Sequence, residues 1–166
     1  MKEFKSLKTY TLIIGVLFLV NAAYSFLETL NIWGITKIEF SEFSSVKYQI
    51  YTETDKLIAT IYQLLNIALL LPIYLFSKIT NQFKNDILFS SEIINLLKNI
   101  TTILYVLSAI AILITRFIKP SDVFQTPIYW FNVHPLFIMF IGTLFNAFAV
   151  ILKQALKQKQ ENELTI

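Results

Sequence analysis

The sequence predicts an all-α membrane protein: four transmembrane helices in one bundle, with a small extracellular β-hairpin between helices 1 and 2. Three observations carry this. Apolar residues collect into four long runs, about 9–33, 57–77, 99–118 and 130–153. Hydrophobic residues make up 55% of the chain. Charged residues make up 15%, against about 25% in soluble domains, too few to wet a globular surface. At about 1.5 Å per residue each run reaches about 27–37 Å as a helix, enough for a hydrocarbon core about 30 Å thick. A backbone in lipid must satisfy its own hydrogen bonds, so each run is expected to be helical. The runs use nearly all of the 166 residues, which leaves a single integral membrane domain, 1–166.

The first run follows a basic start of Lys2, Lys5 and Lys8. Val20-Asn21-Ala22 resembles a small-x-small cleavage site, so a cleaved signal peptide is the alternative. The apolar stretch continues to Leu30 and Trp33, which favours a span. In the next loop Ile38 and Phe40 alternate with Lys37 and Glu39, and Val46, Tyr48 and Ile50 alternate with Lys47 and Gln49. This is the pattern of a hairpin. A lone hairpin is marginal in water, so it should lean on the helix ends.

In the second run Pro72 removes a backbone hydrogen bond and should kink the helix, as a static bend more readily than as a hinge. Ser90 or Ser91 is placed to cap a helix that continues into the third run. His134-Pro135 opens the fourth run, and proline suits a first helical turn. His134 reads as an interfacial polar residue beside Trp130 rather than a pH sensor. Phe131, Phe137, Phe140, Phe145 and Phe148 surround much of the fourth helix, a lipid-facing and packing pattern. Gly142 allows one close helix contact, without a Gly-x-x-x-Gly pair. The tail, 154–166, is rich in lysine, glutamine and glutamate and should extend the fourth helix into the cytoplasm.

Composition narrows the chemistry. There is no cysteine and one histidine, so thiol catalysis, iron–sulfur clusters and multi-histidine metal sites are not expected. No cofactor and no direct nucleic-acid contact is expected at a net charge of +3 with no basic surface. A metal motif, a nucleophile–base pair and a phosphate loop are all missing, which argues against an enzyme. Lys2, Lys5, Lys8, Lys78, Lys84, Lys98, Lys153, Lys157 and Lys159 lie on one side of the expected topology, and Lys37, Lys47, Lys56, Arg116 and Lys119 on the other. That bias puts both termini and the middle loop in the cytoplasm, in a bacterial plasma (inner) membrane. Tyr10, Trp33, Tyr129 and Trp130 fall at expected helix ends, as interfacial aromatics do.

Polar residues inside the spans are the first candidates for a site: Asn21, Glu28, Gln63, Asn66, Arg116 and Asn146. Glu28 and Arg116 share a depth near the outer ends of spans 1 and 3. Intramembrane ionisable residues are costly and usually paired or functional. A Glu28–Arg116 pair, or two side chains snorkelling to the headgroups, is the plainer reading; an outward-facing ion or ligand site is the sharper one. The amides read as interhelical hydrogen bonds, or as a polar pocket that senses a small molecule.

The second candidate is cytoplasmic. The tail reads Leu152-Lys153-Gln154-Ala155, then Glu161-Asn162-Glu163-Leu164-Thr165-Ile166. The middle loop carries Phe76-Ser77-Lys78, then Phe89, Glu92 and Leu97. In these motifs the chain resembles the bacterial four-helix membrane family catalogued as domain of unknown function 2975. Members of that family typically end in a Glu-Asn-Asp-Leu-Thr-Ile-like tail. They also carry a Gly-x-x-Phe-like loop with an acidic residue before the third helix. Here Asp86 stands near the expected glycine, Leu88 where a proline is common, and Glu163 in place of aspartate. The family has no established activity. Its members are often encoded beside small helix-turn-helix regulators, so the resemblance implies a link to transcription.

Together these readings lead us to expect a non-enzymatic regulator or sequestering partner of a cytoplasmic helix-turn-helix transcription factor. Phe89, Glu92 and residues Glu161 to Ile166 would dock that partner, the tail gripping through Leu164, Ile166 and the terminal carboxylate. Without the resemblance the tail reads as a frayed end. The alternative is a small transporter, exporter or immunity-type membrane protein with a polar pocket in the bundle. The expected partners are the lipid bilayer, a DNA-binding regulator and another copy of the chain.

Overall fold

The computed structural model describes residues 2–36, 51–82, 90–118 and 135–164. All secondary structure among them is helical: α1 (Lys2–Ile32), α2 (Glu53–Ala68), α3 (Leu70–Gln82), α4 (Ser91–Phe117) and α5 (Pro135–Leu164). With α2 and α3 taken as one span, four helices are long and apolar enough to cross a membrane. Large apolar side chains stand exposed along all of them, among them Leu12, Leu17, Val20, Leu64, Leu113, Phe137 and Phe148. A surface of that kind is stable against lipid and not against water, so the chain is a multi-pass membrane bundle. The expected hairpin is not supported. No strand occurs among the described residues, and the alternating residues 37–50 lie outside them. His134 and the aromatic pair Tyr129 and Trp130 also lie outside them.

Local chemistry ends each helix. At the end of α1, Gly34 takes φ 72°, a left-handed conformation open to glycine at little cost. Its N–H donates to Asn31 O (2.9 Å), and the Ile35 N–H donates to Leu30 O (3.0 Å). These are the paired bonds that satisfy the last carbonyls of a helix. The second span starts at residue 53 instead of 57 because Thr52 and Asp55 form a capping box. The Asp55 N–H donates to Thr52 Oγ1 (3.2 Å), and Asp55 Oδ2 accepts from the Thr52 N–H (2.9 Å). Two otherwise unpaired N–H groups are satisfied this way. At α4, Ser90 is the cap, its hydroxyl accepting from the Ile93 N–H at 3.2 Å.

Pro72 acts as its chemistry requires. It has no N–H to offer the Ala68 carbonyl, and its ring crowds that carbonyl. Helix α2 stops at Ala68, Leu69 forms a single-residue joint, and α3 resumes at Leu70. Leu69 keeps helical angles (φ −64°, ψ −17°), so the span is interrupted at one residue and not broken.

Helices α4 and α5 form the tightest pair. Gly142 sits where a Cβ would lie 3.3 Å from Leu104 Cβ and 3.0 Å from the Tyr105 ring. The Thr101 hydroxyl donates across to Gly142 O at 3.2 Å, and Tyr105 Oη pairs with Thr143 Oγ1 at 3.1 Å. The single close contact expected at Gly142 is therefore the α4–α5 crossing. Counting out from this crossing, Pro135 starts α5 short of the last turn of α4, and α5 runs on past Ser91 at the other end. Helix α5 is displaced toward the end that carries Lys8, Lys78 and Lys98, here called the basic end; the opposite one is the far end.

Candidate functional site

The polar side chains of the first two spans meet along one face of α1. Ala22, Ser25, Thr29 and Ile32 recur at helical spacing and are all buried. The small residues among them let α2 approach closely. Ser25 Oγ donates to Gln63 Oε1 at 2.6 Å and also lies 3.2 Å from Ala22 O. Gln63 Nε2 donates to Ala22 O at 3.0 Å. Asn66 Nδ2 donates to Ser25 Oγ at 3.3 Å. The Thr29 hydroxyl turns back to Ser25 O at 2.8 Å. Four residues thus form one seam across the α1–α2 interface, and Asn66 Oδ1 is left buried in it with no hydrogen-bond partner.

One turn toward the far end stands Glu28, 4% exposed. Tyr24 hydrogen-bonds its carboxyl group, and Glu28 Oε2 has no partner. Asp55, fully buried, and Tyr51 stand in the same region. The Tyr51 phenol is pushed above its ordinary value of 10.0, by burial first, then by the negative charges of Asp55 and Glu28. Two acids are therefore held at the far end of the α1–α2 pair. All three ion pairs among the described residues run along exposed helix surface: Lys56–Glu53 (2.6 Å), Lys157–Glu161 (3.5 Å) and Lys159–Glu163 (3.8 Å). At the rim, Trp33 Nε1 donates to Thr60 Oγ1 at 3.0 Å, and the Lys56 ammonium lies 5.6 Å from the Trp33 ring centre. This is interfacial anchoring.

The six intramembrane candidates thus separate. Glu28, Gln63 and Asn66 are buried in the α1–α2 interface. Asn21 is half-buried on the same helix. Arg116 is exposed in the last turn of α4 and makes no ion pair with Glu28 among the described residues. Asn146 is exposed on α5, off the face on which Ile138, Gly142 and Ala149 are buried. Among the docking candidates, Glu92, Glu161, Asn162, Glu163 and Leu164 are exposed, while Phe89, Thr165 and Ile166 lie outside the described residues.

Ser25, Tyr24, Tyr51 and Asp55 were not anticipated. Asp55 was legible, since Thr52-x-x-Asp55 is a capping-box spacing. Ser25 was legible only as a small polar residue three positions from Glu28, a weak signal. No group of three or more His, Cys, Asp or Glu able to hold a metal occurs among the described residues.

A second feature is a cavity of about 460 Å³ walled by α1, α3, α4 and α5. Its lining is apolar but for Thr11, whose hydroxyl is committed to Leu7 O at 2.9 Å. It offers volume without hydrogen-bonding groups.

Compared with known proteins, residues 2–166 match the family model described as protein of unknown function (DUF2975). No curated protein and no solved structure matches the chain.

Proposed function

The chain belongs to the DUF2975 family, and on that basis we propose that it is a non-enzymatic membrane regulator that holds a cytoplasmic helix-turn-helix transcription factor at the bacterial plasma membrane. The observation that carries the proposal is the length of α5. Leu156 is the last residue of α5 that packs against the core. Eight further residues, Lys157 to Leu164, continue as helix, about 12 Å at 1.5 Å per residue. All of Lys157–Leu164 are exposed, and Leu164 is 87% exposed at the tip. A segment that is polar all round is at home in water, not lipid. It is a presented helix, and its i,i+4 Lys–Glu pairs support helicity without closing the surface.

The excess of lysine at the basic end supports a cytoplasmic position for this helix. Regulation would be a binding equilibrium: a signal felt in the bundle favours one helix arrangement and changes partner affinity. The test is affinity purification of the protein, tagged at its N-terminus, from native membranes. A DNA-binding protein recovered with the full chain but not after deletion of Glu161 to Ile166 supports the proposal. Equal recovery with the deletion refutes it.

One observation favours a second reading, a small transporter or immunity-type protein: Glu28 and Asn66 each keep a buried oxygen without a partner. A ligand that stabilises the wild type but not Asn66→Leu would select that reading.

A further inference from the structure

We propose that Glu28 is a proton-binding site: its carboxyl group stays protonated while α1 and α2 are packed together, and loss of the proton to water opens the far ends of the two helices. The site belongs to the bundle and does not depend on which partner the tail holds. Glu28 is buried on the same face of α1 as Ser25, Thr29 and Ile32. Tyr24, one turn away, hydrogen-bonds the carboxyl group, and Oε2 is buried without a partner. Asn66 Oδ1 in the same interface is likewise unpartnered and likewise an acceptor. The interface is therefore short of donors, and a proton is the donor that needs no added room.

An ionised carboxylate is an acceptor only, and burial suits it when N–H groups, O–H groups or a cation surround it. Asp55 meets that condition. Its Oδ2 accepts from the Thr52 N–H at 2.9 Å and from the Thr52 hydroxyl at 2.7 Å, in a first helical turn where the dipole also favours negative charge. Glu28 does not meet it, since it lies inside α1, whose backbone N–H groups are spent within the helix. The described titratable groups of α1 and α2 toward this end are Tyr24, Tyr51, Asp55, Tyr62, Glu53 and Lys56. The one cation among these, Lys56, is paired with Glu53 at 2.6 Å. Arg116 of α4 is exposed, and the described parts of α3 and α5 carry no charge at this end. Asp55 and Glu28 both act on Tyr51, so the two carboxyls share one region, and the charge held at Asp55 opposes a second at Glu28. Once ionised, Glu28 must be reached by water, because an uncompensated buried charge strongly destabilises the packing around it. Water has a short path, since Glu28 stands about 6 Å from the end of α1. Just beyond it, Trp33 Nε1 donates to Thr60 Oγ1 at 3.0 Å, a contact between α1 and α2 that parts when their far ends separate.

The test uses the full chain in a neutral detergent, with Trp130→Phe leaving Trp33 as the single tryptophan. Infrared absorption reads the protonated carboxyl, and Trp33 emission reads the far-end contact. Both are followed from about pH 5 to about pH 9, below the phenol range. A protonated-carboxyl band is expected at neutral pH, and Glu28→Gln should remove it. Raising the pH should abolish the band and shift Trp33 emission to the red with the same midpoint. In Glu28→Gln, neutral and of the same size, the emission should stay constant. The shared midpoint is read on Glu28 itself, so the proposal stays testable if Glu28→Gln fails to fold. No band at neutral pH, or a band that survives Glu28→Gln, would overturn the proposal. A red shift that persists in Glu28→Gln would overturn it by assigning the response to another group. A band lost without a red shift, or one that never titrates, would overturn the coupling of this proton to helix packing.

Discussion

Gln63 and Asn66 sit one turn apart in the same seam, yet replacing each by leucine should move stability in opposite directions. Gln63 makes two bonds across the interface, donating to Ala22 O at 3.0 Å and accepting from Ser25 Oγ at 2.6 Å. Interhelical hydrogen bonds in a membrane contribute about 0.6 kcal/mol each on average and about 1.7 at most. Losing two therefore costs about 1–3 kcal/mol. Gln63→Leu leaves no new orphan at Ser25, which keeps the Ala22 carbonyl at 3.2 Å and the Asn66 amide at 3.3 Å. Asn66 makes only that one long bond, while its Oδ1 is buried without a partner. An unpartnered buried polar atom costs about 1–3 kcal/mol. Asn66→Leu removes the weak bond and the penalty together, so it should be neutral or stabilising by about 1 kcal/mol. Unfolding by SDS titration from detergent micelles, followed by far-UV circular dichroism, reads both. A loss at Asn66→Leu equal to that at Gln63→Leu refutes the reasoning. It would mean that Oδ1 holds a real bond, and the transporter reading would gain accordingly.

Two further predictions use the same measurement. Gly142→Ala should destabilise by up to about 2 kcal/mol, because overpacking against Leu104 and Tyr105 costs about 1–3 kcal/mol and the helix-propensity gain offsets about 1. Gly15→Ala, whose Cβ meets Ile73 at an ordinary 3.6 Å, should keep that gain and be neutral or stabilising, and the reverse order of the two variants would contradict the α4–α5 geometry. Tyr51 has its pKa raised from 10.0 on folding, so the folded state disfavours the phenolate. Its contribution is whole below the ordinary value and is lost as pH rises through the folded one. Tyr51→Phe should therefore flatten part of the alkaline fall in stability, and an unchanged pH profile would remove Tyr51 from the acidic cluster.

Much of this architecture is legible in the residues. Four apolar runs become four spans because a backbone in lipid has no partner but itself. Thr52, Gly34 and Ser90 end or begin helices through bonds that span three to five residues, so their effects stay local and readable. Pro72 interrupts its span for the same local reason. Lys157 to Leu164 stay helical and exposed because, beyond Leu156, no side chain of α5 packs against the core.

What no linear reading supplies is the rotation of each helix about its own axis. In water an apolar stripe turns inward, and the sequence marks which face is buried. In lipid the surroundings are as apolar as the core, so hydropathy leaves the rotation open. Position along a helix can be counted, and Glu28 and Arg116 both stand near the far ends of their helices. Azimuth cannot, and the two face different surroundings, Glu28 inside the α1–α2 pair and Arg116 exposed. Asn146 stands exposed on α5 while Ala149, nearly a turn further on, is buried, a difference of facing and not of position along the helix. The seam of Ser25, Gln63 and Asn66, and the cavity between α1 and α5, exist only once small residues such as Ala22 and Gly142 have chosen where backbones approach. That choice is made by packing between segments far apart in the chain.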